Sequence, residues 1–358
     1  MRAWLLLLML FSLPLLAQQV DPSILRALTQ ADQSQQSGDL GTAEQLLRAQ
    51  LGQAREGSLE LALLQQRLGY LAIARERNTE AIDWLQRAVA QGQLSAEALR
   101  QDRLNLAQLM VLTDQPRSAA QLLSDLHSEQ PLAEVHLRLL VQLYNQLGDY
   151  GRAIPLAEQV VRSSAAVDPV WYQLLAGMNL QLERYAGAER WLRLMLNNDP
   201  GNIELWRQLA SVQSLDRRQV DAAATLRLAY EAGLRFSDSE LESLVGLQLA
   251  AGAPWQAARL QQALLQQGLL ASNRQHQQRL AQMWQMARDH ERAEQAWRAL
   301  AQQSGRSDDW MRLAVLQLQQ GRWDALAESI AQARKGADAG QRQQLDRWQD
   351  YARQMQGN

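Results

Sequence analysis

The chain has 358 residues, 47% apolar and 21% charged, with no cysteine and a formal net charge of −2. That apolar fraction supplies a sizeable core and excludes wholesale disorder. The near-zero charge leaves no footprint for DNA or RNA, and the missing cysteine excludes disulfides, a thiol nucleophile, a thiolate metal site and a lipidated cysteine anchor. Two phenylalanines beside an excess of Leu, Ala, Gln, Arg and Glu speak against a β-rich fold. The length fits two or three globular domains or one long repeat array.

Residues 1–17 read as a secretory signal peptide: Arg2, an apolar run from Trp4 to Leu16, then Ala17 before polar Gln18-Gln19. The run is broken by Pro14 and is too short for a bilayer, which needs about 20 residues. Cleavage after Ala17 predicts a mature chain that starts at or near Gln18, is exported to the periplasm and carries no membrane span.

From there on one layout recurs. A small or polar turn is followed by an alanine and a helical apolar stripe, as in "LGDYGRAIPLAEQVV" and "ARDHERAEQAWRALA". The alanines are Ala43, Ala81, Ala119, Ala153, Ala188, Ala222, Ala257 and Ala293, with Leu326 in the ninth place, spaced 33 to 38 residues apart. A period near 34 marks a helix–turn–helix array. Apolar residues at i, i+3, i+4 and i+7 make each unit two amphipathic helices, and the small residues let those helices approach closely. Gly38, Gly148, Gly252 and Gly321 supply turns within units; Pro131, Asp168-Pro169, Asp199-Pro200-Gly201 and Gly305 supply breaks between them. The longer first two intervals predict longer loops or helices there.

In chain order, Leu68, Gly69, Ala81, Leu85 and Ala88 stand in the copy at 62–95. Leu137, Leu140, Tyr144, Ala153 and Ala157 stand in the copy at 134–167. Tyr172, Leu175, Ala176, Ala188, Leu192 and Pro200 follow at 169–202, where Asn179 and Met195 depart from the pattern. Trp206, Leu209, Ala210, Ala222, Leu226 and Ala229 occupy 203–236, and Leu280, Ala281, Trp284, Ala293 and Trp297 occupy 274–306. On these residues the chain resembles the tetratricopeptide repeat (TPR) family over roughly 24–340. The resemblance implies an all-α, right-handed superhelical solenoid of about nine TPR-like helix pairs over 18–340, with a capping helix and tail over 341–358. In that terminal helix Leu345, Trp348 and Tyr351 are expected to dock inward.

No catalytic, cofactor or metal site emerges. His127, His136, His276 and His290 lack ligand spacing, and Asp289-His290-Glu291 reads as a turn. There is no Gly-x-Ser-x-Gly elbow or phosphate loop, and the single lysine, Lys335, follows a helix end. Trp206, Trp284, Trp297, Trp310 and Trp323 are expected to pack in the core. Family resemblance further implies that the first helix of each pair lines a concave wall. Its positions include Gln66, Tyr70, Gln108, Val135, Arg138, Gln142, Asn145, Gln173, Glu204, Arg207, Ser211 and Ser214. Of these, Gln66, Tyr70, Gln108, Arg138, Gln142, Asn145, Gln173, Arg207 and Ser211 form the expected partner-binding groove, amides for a peptide backbone and arginines for carboxylates.

These features point to a non-enzymatic exported scaffold that binds a protein or peptide of the cell envelope and no nucleic acid. Residues Trp310, Leu313, Ala314, Gly321, Trp323, Ala333 and Gly336 are similar to the last repeats of TPR proteins associated with TonB–ExbB–ExbD systems, with Leu326 where alanine is usual. That likeness implies an accessory role in TonB-dependent uptake. The alternatives are an assembly factor for outer-membrane, pilus or polysaccharide-export machinery, and a glycan-handling solenoid enzyme. The enzyme would need two carboxylates about 5 to 9.5 Å apart in a cleft.

Overall fold

Each apolar stripe of the sequence becomes a helix, several of them started by a capping side chain, and a left-handed residue turns the chain within each pair. The computed structural model describes residues 20–164 and 166–356. The expected signal peptide and mature start at Gln18 lie outside the described residues. Among the described residues there are nineteen α-helices. They are α1 Pro22–Gln36, α2 Leu40–Gln50, α3 Leu59–Ala74, α4 Asn78–Ala90, α5 Ala96–Leu112, α6 Pro116–Glu129, α7 Glu134–Gln146, α8 Tyr150–Ser163, α9 Val170–Gln181 and α10 Tyr185–Asn198. There follow α11 Ile203–Leu215, α12 Gln219–Glu231, α13 Asp238–Ala250, α14 Pro254–Gln266, α15 Arg274–Met286, α16 His290–Ser304, α17 Ser307–Gln319, α18 Trp323–Arg334 and α19 Ala339–Gln356. This is the expected all-α array: nine pairs followed by a terminal helix. The extra residues of the first two intervals form a 3₁₀ turn at Leu51–Gln53, a longer α3 and a longer α5.

Caps follow the local chemistry. Asp39, Ser58, Ser95, Asp149, Asn202, Asn273 and Asp289 each accept a bond from a backbone N–H of the first turn, and Pro22, Pro116 and Pro254 open helices where no N–H is needed. Within every pair the turn residue is left-handed: Gly38, Glu76, Asp114, Gly148, Glu183, Arg217, Gly252, Arg288 and Gly321, with φ from 55 to 84°. In each turn the next residue's N–H reaches the carbonyl five residues before it, at 2.8–3.0 Å. This 6→1 bond closes a Schellman motif. Only four of the nine turns carry the glycine that such a φ favours, and the shared bond holds the other five residues there.

The anchor register is the one read from the sequence. All eight alanines and Leu326 are 0% exposed, so no larger side chain fits without moving a helix. The chain divides into two compact units, residues 1–171 and 172–358. In the first unit consecutive helices from α1 to α8 pack in order, and Leu47, Leu64, Leu68, Leu71 and Trp84 share one core cluster. In the second unit a cluster runs from Ala210 to Ala352 and includes Trp284, Trp297 and Trp310, with Trp206 and Trp323 packed against it as expected. The terminal α19 packs on α18 and α17, burying Leu345, while half-exposed Tyr351 meets Trp323 edge-on at 6.2 Å.

Candidate partner-binding site

Several of the expected groove residues prove to be ties between neighbouring first helices. Gln66 is buried, and its amide donates to Asp102 Oδ2 at 2.7 Å; the Tyr70 hydroxyl donates to Asp102 Oδ1 at 2.5 Å, and Asn105 donates to the Tyr70 oxygen at 3.0 Å. Asp102 has no exposed surface, and burial pushes its carboxyl up against the pull of Tyr70, Gln66 and the nearby Arg67 guanidinium. Burial and the neighbouring Asp102 charge push the Tyr70 phenol up as well. A buried carboxylate needs donors, and α3 supplies them to α5. Gln66 and Tyr70 are therefore corrected from free groove donors to an interhelix tie. Gln108 likewise meets His136 Nε2 of α7 at 3.3 Å; burial, then positive Arg100, pushes the pKa of that imidazole down.

The two groove arginines are also committed. The Arg138 Nε donates to Glu134 at 2.9 Å, and its guanidinium lies 5.5 Å over Trp171. Arg207 pairs with Glu204 at 3.0 Å and with Glu240 of α13 at 2.5 Å. Neither guanidinium waits open for a partner's carboxylate, because the chain already neutralises both. What stays available is neutral: Gln142 and half-buried Asn145 in the first unit, exposed Gln173 and Ser211 in the second.

Burial raises Asp32 and Asp102, yet Asp102 is sealed with both oxygens bonded, while Asp32 faces Arg67 at 3.4 Å. His276 is buried and bridges Ala271 O at 2.7 Å and Glu242 at 2.9 Å, tying α15 to α13. His290 opens α16, exposed, as the turn reading expected. Among the described residues no group of three or more His, Cys, Asp or Glu side chains is placed to hold a metal ion. No described helix is long and apolar enough to cross a membrane.

An opening that the sequence reading missed lies in the first unit. A groove of about 620 Å³ is walled by Gln86, Val89 and Ala90 of α4 and by Arg117, Ser118, Gln121, Leu122 and Asp125 of α6, over Arg103, Leu106 and Met110 of α5. Leu106 and Met110 form a buried apolar floor under a polar rim. No single residue type in the sequence marks it, because three helices supply its walls.

The residues that carry the likeness of the C-terminal repeats also have a place. Trp310, Leu313, Ala314 and Ala333 are buried, and Gly321 is a left-handed turn. They build the last pair.

No protein-family model matches the chain, and no curated protein matches it. Among solved structures, a tetratricopeptide repeat protein from Parabacteroides merdae ATCC 43184 is 16% identical, with 74% of this chain and 99% of that chain covered, at a TM-score of 0.37. MamA from Desulfovibrio magneticus RS-1 is 16% identical over 48% of this chain and 93% of its own, at 0.34. MamA AMB-1 is 19% identical over 48% of this chain and 97% of its own, at 0.35.

Proposed function

We propose that this chain is a non-enzymatic, exported TPR-like scaffold that holds a protein or peptide segment of the cell envelope in the periplasm. The observation that carries this reading is the array of nine helix pairs with exposed neutral amides on first helices. Among the described residues Gln142 and Gln173 have no internal task of the kind that occupies Gln66. Side-chain amides donate and accept toward any peptide backbone, and repeat arrays bind along their helix faces. The short apolar run before Gln18 supports export.

The finer form of the reading is an accessory role beside a TonB-dependent uptake system. The residues behind it are core residues of the last pair, so partner choice there would fall to side chains outside that set.

The test is site-specific photocrosslinking in the parent cell, with a benzoyl-phenylalanine at 142 or 173 and a control at Arg162 of α8. Crosslinks from 142 and 173 to one envelope protein are expected. Crosslinks from position 162 alone would overturn the reading, as would recovery of the whole protein in the cytoplasmic fraction after osmotic release.

A further inference from the structure

Every pair turns through a six-residue segment, from the last residue of its first helix to the second residue of its second. Eight of the nine segments carry a charge; the seventh, 250–255, carries none, and no charged residue lies between Glu242 and Arg259. Trp255 stands at its end. The segment before it adds Leu215 and Val220, the segment after it adds Met286, and all four side chains are 40 to 66% exposed. Leu215 and Met286 close first helices, while Val220 and Trp255 are second residues of second helices. The four therefore share one end of three consecutive pairs, stepping about 10 Å from helix to packed helix.

Cations stand in the same row. Arg217 and Arg288 hold left-handed positions at φ 60 and 58°, where the turn between them has Gly252. An L-residue is strained there and glycine is not, so the turn geometry does not ask for arginine. Among the described residues neither guanidinium has an ion pair, and Arg259 has none beyond the Trp255 ring, 4.8 Å from it. The acids of these turns are mostly neutralised. Arg218 holds Asp216 and Asp221 at 3.6 and 2.8 Å, and Arg292 holds Asp289, which leaves Glu291 without a cation among the described residues. We propose that this end of pairs six to eight rests on an anionic lipid surface, with Leu215, Val220, Trp255 and Met286 in the interfacial layer and Arg217, Arg259 and Arg288 on headgroup phosphates. Apolar side chains standing singly on successive turns would need a separate pocket each from a protein, whereas lipids rearrange around every one. Indole rings favour the membrane interface, and peripheral binding grows with apolar area and with cations facing anionic headgroups. The proposal rests on the exported-scaffold reading and deepens it, setting the scaffold against a membrane leaflet and leaving the first-helix amides to the protein partner.

The test exploits the absence of cysteine. In the full chain Gln256→Cys carries a nitrobenzoxadiazole label beside Trp255, and Gln302→Cys, near the other end of α16, carries it as the control. Vesicles of phosphatidylcholine with about 30% phosphatidylglycerol should blue-shift the label at 256 saturably and leave the label at 302 unmoved. Vesicles of phosphatidylcholine alone should bind at least fivefold more weakly. Trp255→Ala should weaken binding at least fivefold, and Arg217→Glu with Arg288→Glu should remove the preference for phosphatidylglycerol. Should Trp255→Ala lose its helical signal, Val220→Asn with Met286→Gln, both more than half exposed, takes its place. An unmoved label at 256, an equal response at 302, or binding that none of these variants weakens would overturn the proposal. So would a label at 256 that ignores vesicles yet responds to lipid-free envelope protein, which would make the row a protein contact. Failure here leaves the crosslinks at 142 and 173 untouched, so the two readings fail separately.

Discussion

Arg218, the residue that caps α12, places its guanidinium 2.8 Å from the Glu189 carboxylate of α10. Gln213 and Arg193 bond the same carboxylate at 3.1 and 2.6 Å. The motif returns one residue after the anchor alanine elsewhere: Glu294 takes Gln317, Arg298 and Arg322, and Glu44 takes Arg48, Arg75 and Arg77. A glutamate at this position thus clasps one pair to the cap of the next.

Burial works against ionisation of Glu189, but the bonds from Arg218, Arg193 and Gln213 outweigh it and hold the carboxyl at about 2, against an ordinary 4.5. A depressed carboxyl stabilises the fold fully above its unfolded value, and that contribution is lost as pH falls from 4.5 toward 2. Glu189→Gln should cost about 1 to 2 kcal/mol at neutral pH, less than full linkage because the arginines stay largely in water. Thermal melts of both proteins should converge as the buffer is taken down through that window. A pH-independent gap would refute the clasp.

Asp102 has the opposite sign. Its carboxyl is raised by burial, so its ionisation disfavours the fold as pH rises through the folded value. Asp102→Asn keeps an acceptor for Tyr70 and should gain stability relative to the parent as pH rises from acid to neutral. Melts across that range check the slope, which would be flat if Asp102 were solvated.

Arg217 sits at φ 60° in a turn whose equivalents at 148 and 252 are glycine. A left-handed L-residue costs about 1 to 2 kcal/mol, while glycine loosens the unfolded chain by roughly half that. Arg217→Gly should therefore stabilise by about 0.5 to 1 kcal/mol, and Gly148→Ala should destabilise by a similar amount. Urea titration of both reads the two signs.

A Cβ on Gly187 would overlap the Asn179 amide oxygen and stand 2.8 Å from its Cγ; one on Gly69 would meet Leu85 Cδ2 at 2.7 Å. Gly187→Ala should cost about 1 to 3 kcal/mol as an overpacked contact, and Asn179→Ala should rescue most of it. Ala188→Phe and Ala222→Phe, at fully buried anchors, should destabilise at least as much. A double-mutant cycle without coupling between 179 and 187 would remove the explanation.

The helices, their pairing and the anchor register were set by the sequence alone. Alanine every 33 to 38 residues with an amphipathic stripe on either side has one low-energy packing, and capping chemistry is local. The five left-handed turns at Glu76, Asp114, Glu183, Arg217 and Arg288 were hidden, because a shared backbone bond, not a residue type, holds them. Which polar residues on the first helices remain free was decided only by the tertiary structure. Gln66 and Arg207 look alike in sequence to Gln142 and Gln173, yet Asp102 and Glu240 lie 36 and 33 residues further on and reach them across the stack. The same holds for the groove. Leu122 is an ordinary apolar residue at an ordinary position until α4 and α5 stand around it and a groove of about 620 Å³ opens there. Local periodicity specifies helices, but a charge or a cavity is a sum over neighbours, and those neighbours lie a full repeat away.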